Sequence, residues 1–80
     1  MGNQINLERI TINSEVMGGQ PCIRGLRIPV SLIVRLVAHG KTGKEILADY
    51  PELEEKDIEQ ALEYASWTVS EKSLPGNPVR

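Results

Sequence analysis

The sequence predicts a mainly α fold: a three-helix, helix-turn-helix bundle with a short β segment at its N-terminal end. Three observations predict it. Two stretches with helical apolar spacing, 30–39 and about 55–72, flank a shorter one and join it through short connections. The short stretch opens on a Thr-x-x-Glu capping box, Thr42 to Glu45. Upstream, Arg9-Ile10-Thr11-Ile12-Asn13 alternates and is rich in β-branched residues, with glycine and proline punctuation after it.

Taken in order, residues 1–8 form a loose polar start. Arg9 to Asn13 is a short strand, Gly18-Gly19 a turn, and Pro21 to Arg24 a second extended piece that Gly25 ends. Leu26-Arg27-Ile28 alternates again, and Ile28 is held extended by the proline after it. A hairpin this small is not stable alone and must lie on the helices or pair with another chain. Pro29 suits the first position of a helix, which continues from Val30 to His39 with Gly40 as its C′ residue. That helix is apolar nearly all round, interrupted only by Ser31, Arg35 and His39, and is expected to be buried on most faces. In a chain of 80 residues such burial calls for a second subunit.

The second helix starts at its Thr42 cap and stops before Pro51. The third starts near Glu54 or Glu55, where Glu54, Glu55 and Asp57 suit the positive end of the helix dipole. Its core stripe is Ile58, Ala61, Leu62, Ala65 and Val69. Trp67 is expected to point away from that stripe, with Tyr64 and Gln60 on the outer side. Residues 1–72 thus make one domain, and 73–80, which hold two prolines and a glycine, make a flexible tail.

Composition narrows the function. One cysteine excludes an internal disulfide, and one cysteine with one histidine makes a structural zinc site implausible. No apolar run is long enough to span a membrane, and the N-terminus has no signal-peptide pattern, so a reducing cytoplasm is expected. The net charge of −2 divides into +3 over residues 1–45 and −5 over 46–80. The simplest outcome is attraction between the halves, within one chain or between two copies.

No residue constellation makes an enzyme. Gly40-Lys41-Thr42 and Gly43-Lys44-Glu45 both miss the phosphate-loop pattern, the first because Arg35 stands where a glycine is needed. Cys22, between Pro21 and Ile23, reads as a buried spectator thiol, and His39 as an end-of-helix residue. The acids of the third helix read as a solvated surface. No metal and no cofactor is expected. Arg24 and Arg27, with Tyr64 and Trp67, are the candidate partner-binding residues: planar guanidiniums recognise carboxylate or phosphate, and aromatics dominate hot spots. Arg9, Arg35, Lys41 and Lys44 are the candidate nucleic-acid contacts, since the acidic third helix makes a poor reader of DNA.

The run Gly18-Gly19-Gln20-Pro21-Cys22-Ile23-Arg24-Gly25-Leu26-Arg27-Ile28-Pro29-Val30 strongly resembles the opening motif of domain-of-unknown-function family 433. Ile46 to Leu53, Asp57-Ile58 and Ala61 to Ala65 resemble it too, so the likeness covers about residues 9–67. Gln20 stands where a lysine is common, Cys22 for valine, Leu26 for threonine, and Glu54 for a Thr or Ser cap. The resemblance implies a homeodomain-like fold and a bacterial protein likened to VapB-type antitoxins, often encoded beside a PIN-like ribonuclease toxin. It implies no catalytic residues. The expectation is a non-catalytic, homodimeric, antitoxin-like protein that binds such a toxin. The alternative is a DNA-binding regulator of helix-turn-helix type.

Overall fold

The computed structural model describes residues 7–72. The expected tail, 73–80, and the first six residues of the expected loose start lie outside them. Strand β1 (Ile10–Ile12) and strand β2 (Pro21–Ile23) are followed by helices α1 (Val30–Ala38), α2 (Gly43–Asp49) and α3 (Glu55–Lys72), with a 3-10 turn at Met17–Gly19 between the strands. The fold is mainly helical, with a two-stranded antiparallel sheet at the N-terminal end.

The strands pair Ile10 with Ile23, Thr11 with Cys22 and Ile12 with Pro21. The chain leaves β2 through a two-residue turn in which Arg24 (φ 45°) and Gly25 (φ 73°) both take left-handed conformations. The Leu26 N–H closes it on the Ile23 carbonyl at 2.7 Å. Two consecutive positive φ values mark the turn whose twist matches a hairpin. Glycine takes the second position freely, whereas arginine at the first carries strain. The returning segment pairs with β2 only briefly: the Ile28 carbonyl accepts from the Ile23 N–H at 3.0 Å, and Pro29 bridges Cys22. The alternation over 26–28 therefore becomes a returning segment rather than a strand.

Pro29 does not occupy the first helical position. It is extended (φ −73°, ψ 152°) and acts as the residue before the helix, because it is still paired to Cys22. At the other end of α1, His39 is the C-cap and Gly40 (φ 91°) the C′ residue. The Gly40 N–H reaches the Val37 carbonyl and the Lys41 N–H the Leu36 carbonyl, each at 3.0 Å, a Schellman closure. The capping box of α2 is complete: Thr42 Oγ1 accepts from Glu45 N–H at 3.1 Å, and Glu45 Oε1 accepts from Thr42 N–H at 2.9 Å. Thr42→Ala is expected to cost about 1 kcal/mol. In a domain with about 3–5 kcal/mol to spare, a urea titration reads that as a clear midpoint shift.

Ile23, Ile28, Val30, Ile33, Ile46, Leu53, Ile58 and Ala61 form one core, to which the hairpin and all three helices contribute. For α1 the expected burial is met only in part by a single copy, and for α3 one expectation is corrected. Within α1 only Val30 and Ile33 are buried; Leu32, Val34 and Leu36 are half-buried and Val37 is exposed. Within α3, Ile58 and Ala61 are buried and Leu62 and Ala65 half-buried, but Val69 is 58% exposed. Length explains the second. At 1.5 Å per residue α1 spans about 14 Å and α3 about 27 Å, so α1 cannot cover the whole length of α3. No helix among the described residues is long and apolar enough to cross a membrane.

Candidate functional site

Two regions collect the side chains singled out by sequence. The first surrounds the start of α3. Asp57 was expected on a solvated acidic surface; its side chain is instead fully buried. It lies four residues before Ala61 and beside Ile58, on the face that packs inward. Its carboxylate accepts from Arg24 Nε at 3.0 and 3.3 Å and from Arg24 Nη2 at 2.8 Å. It also accepts from Arg9 Nη1 at 2.9 Å and from the Glu54 backbone N–H at 2.8 Å. The last bond closes the first turn of α3, replacing the side-chain cap that Glu54 does not provide. Arg9 Nη1 further bonds Glu54 Oε1 at 2.7 Å, and Arg24 Nη2 bonds the Glu52 carbonyl at 2.8 Å.

Burial alone pushes the Asp57 carboxyl up, but the bonds from Arg24, Arg9 and the Glu54 N–H outweigh it and hold it at about 2. Both guanidiniums move the other way, Arg9 chiefly through its bond to Glu54 and Arg24 chiefly through its bond to Asp57. Attraction between the basic first half and the acidic second half is thus used inside the chain. Sequence reading missed Asp57 because its type was weighed before its place in the 3.6-residue period. The i, i+4 relation to Ala61 was the available signal.

The hub leaves donors over. Arg24 keeps Nη1, and Arg9 keeps Nε and Nη2, with no acceptor among the described residues. The Arg24 side chain remains 36% exposed and that of Arg9 23%. Arg27, on the returning segment, is exposed and in no ion pair among the described residues. The hairpin turn therefore carries an arginine edge whose Arg9 and Arg24 members are fixed from beneath by a buried carboxylate.

The second region is a groove between α1, α3 and the start of β2. It is open to solvent, has a volume of ≈ 350 Å³, and takes its apolar wall from Pro21, Val30, Val34 and Ala65. Tyr64 lines it, half-buried against the core rather than facing outward; Gln60 is likewise half-buried and accepts the Arg9 backbone N–H at 2.9 Å. Trp67 is 44% exposed and tilts at 46° against Tyr64, ring centres 6.0 Å apart. Arg35 stands at the groove without an ion pair among the described residues. Lys41 reaches Asp49 at 3.5 Å, and Lys44 is exposed. The structure thus separates the basic candidates: Arg9 joins Arg24 at the hub, Arg35 the groove, and Lys41 and Lys44 the connection into α2.

The Cys22 thiol is buried and pushed up by that burial. Among the described residues no cluster of three His, Cys, Asp or Glu side chains is arranged to hold a metal ion, and no buried side-chain polar atom lacks a partner.

Two known proteins are similar to this chain. A Sinorhizobium fredii protein described as uncharacterized protein y4eO is 34% identical over 58 residues, which cover 72% of this chain and 26% of that protein. The crystal structure of a DUF433 member protein from Anabaena variabilis is 38% identical and superposes with a TM-score of 0.73, covering 79% of this chain and 62% of that one. This chain therefore spans about a quarter of the first protein and under two thirds of the second. The model of one family, described as protein of unknown function (DUF433), matches residues 10–65, and the chain belongs to that family.

Proposed function

We propose that the chain is a non-catalytic binding protein, the antitoxin-like component of a bacterial toxin–antitoxin pair, and that its partner is a PIN-like ribonuclease toxin. One observation carries the binding reading: the arginine edge of the hairpin turn. Arg24 and Arg9 are held at the surface by Asp57 with N–H donors unused among the described residues, and Arg27, three residues after Arg24, is exposed and in no ion pair among them. A guanidinium fixed in advance loses little freedom when it takes a carboxylate, and its planar fork fits one with two bonds. A metal-dependent nuclease gathers carboxylates around its ion, so an arginine offered there occupies the ion's place.

The test is co-expression with a PIN-like ribonuclease encoded beside this gene, followed by affinity capture and a growth assay. Capture and growth rescue are expected from the native chain. Arg27→Glu is expected to lose both while keeping its helical circular dichroism, because Arg27 makes no ion pair within the described residues. No complex and no rescue from the native chain would sink the proposal.

A homeodomain-like helix-turn-helix acting on DNA is the second reading. It is favoured by Arg35 and Lys44, exposed and free of ion pairs among the described residues. It is opposed by α3, which carries Glu55, Glu59 and Glu63 on its exposed faces. Binding to upstream DNA that is undetectable at moderate salt removes it.

A further inference from the structure

We infer that the groove between α1 and α3 is filled by a second copy of this chain, each copy seating its Trp67 in the groove of the other. The inference does not depend on the toxin reading. A two-fold interface places the same patch on both sides, so one face of one chain must carry both the projection and the recess that receives it. This chain does. Tyr64 and Thr68 line the groove, and Trp67 stands on its shoulder between them in sequence, packed against Tyr64. The recess, ≈ 350 Å³ and walled by Pro21, Val30, Val34 and Ala65, lies at the small end of the range for ligand pockets and suits one aromatic side chain.

Charge repeats the match. Arg35 is the charged residue of the groove lining and has no ion pair among the described residues. Glu63 lies one helical turn before Trp67 on the same flank of α3, exposed and equally without an ion pair there. The projection thus carries a carboxylate and the recess a guanidinium. A foreign helix could satisfy one of these; a second copy satisfies both, twice over, by the same operation. The described residues of one copy also leave apolar surface beside the groove open, at Trp67 and Val69 of α3.

The test is sedimentation equilibrium of the full chain, with tryptophan emission as a second readout, because Trp67 is its single tryptophan. A dimer is expected at micromolar concentration, with emission moving to the red on dilution as the ring returns to water. Trp67→Ala is expected to weaken association roughly 30-fold or more while leaving the helical signal intact. Arg35→Glu and Glu63→Arg are each expected to weaken it, and the chain carrying both reversals is expected to dimerise again, since the pair is restored with its signs exchanged. A native chain that stays monomeric at about 100 µM, a much weaker association than a specific interface gives, overturns the inference. So does a dimer indifferent to Trp67→Ala, and so does a double reversal that stays apart. Toxin capture by the monomeric variants reads separately on the arginine edge.

Discussion

Asp57→Ala is expected to remove about 3 kcal/mol of folding stability and to leave much of the chain unfolded at 37 °C. The carboxylate is buried and accepts bonds from three directions: β1 through Arg9, the turn after β2 through Arg24, and the start of α3 through the Glu54 N–H. Hydrogen bonds to a charged group contribute about 1.5–3 kcal/mol, and breaking a buried pair by deleting one partner costs about 3–5 kcal/mol. The lower end applies because both guanidiniums are partly exposed and regain water when the carboxylate goes. The loss is still comparable to all the stability a domain of this size commands. It also frees Arg24 from the contact that holds its left-handed backbone. Glu54→Ala is the control: that side chain is 62% exposed, so its pair with Arg9 contributes under about 1 kcal/mol. Urea unfolding followed by circular dichroism separates the two, and a loss below about 1 kcal/mol for Asp57→Ala would contradict the account.

The same carboxylate fixes a pH dependence. Its folded value, about 2, is below the ordinary 3.8, so the folded state binds its proton less readily than the unfolded chain does. The sign follows: the stability it contributes is fully present above about pH 4, falls as pH drops through the range between the two values, and is gone below about pH 2. A depression of that size corresponds to about 2–3 kcal/mol. Asp57→Asn is expected to flatten this limb of the stability curve. A native chain whose midpoint in urea is unchanged between pH 5 and pH 2.5 would show that Asp57 is not held by its arginines.

What was legible in the sequence follows from how local each signal is. The capping box at Thr42, the Gly40 stop and the break at Pro51 depend on a few neighbouring residues, and the structure places each where the spacing does. The paired strands at 10–12 and 21–23 and the family motif were legible for the same reason. Pro29 was misplaced by one position because a bridge to Cys22, a contact between segments, overrides its helical preference. Tyr64 and Val69 were misplaced because an apolar stripe gives a helix face only to within a residue or two of rotation. The neighbour's length then decides where burial ends. Asp57 was the largest miss. A carboxylate is ordinarily at the surface, and only the convergence of two arginines from distant segments makes its burial favourable. That convergence cannot be read from any one stretch of chain.

Ile33→Ala is expected to cost about 3–4 kcal/mol, and Val37→Ala under about 0.5 kcal/mol, although both change one aliphatic residue of the same nine-residue helix. Ile33 is completely buried within the core shared by the hairpin and all three helices, so truncating it loses transfer energy and leaves a cavity. Val37 is 37% exposed. Sequence alone ranks the two alike, because α1 is apolar nearly all round; the structure assigns them opposite weights. Measuring both variants in dilute solution isolates the contribution of one copy. A cost at Val37 approaching that at Ile33 under those conditions would mean that α1 is buried on a further face within a single copy. Val34→Ala, in the groove wall, bears on the proposed pairing of two copies: a small cost in dilute solution that grows with protein concentration would place its burial between copies.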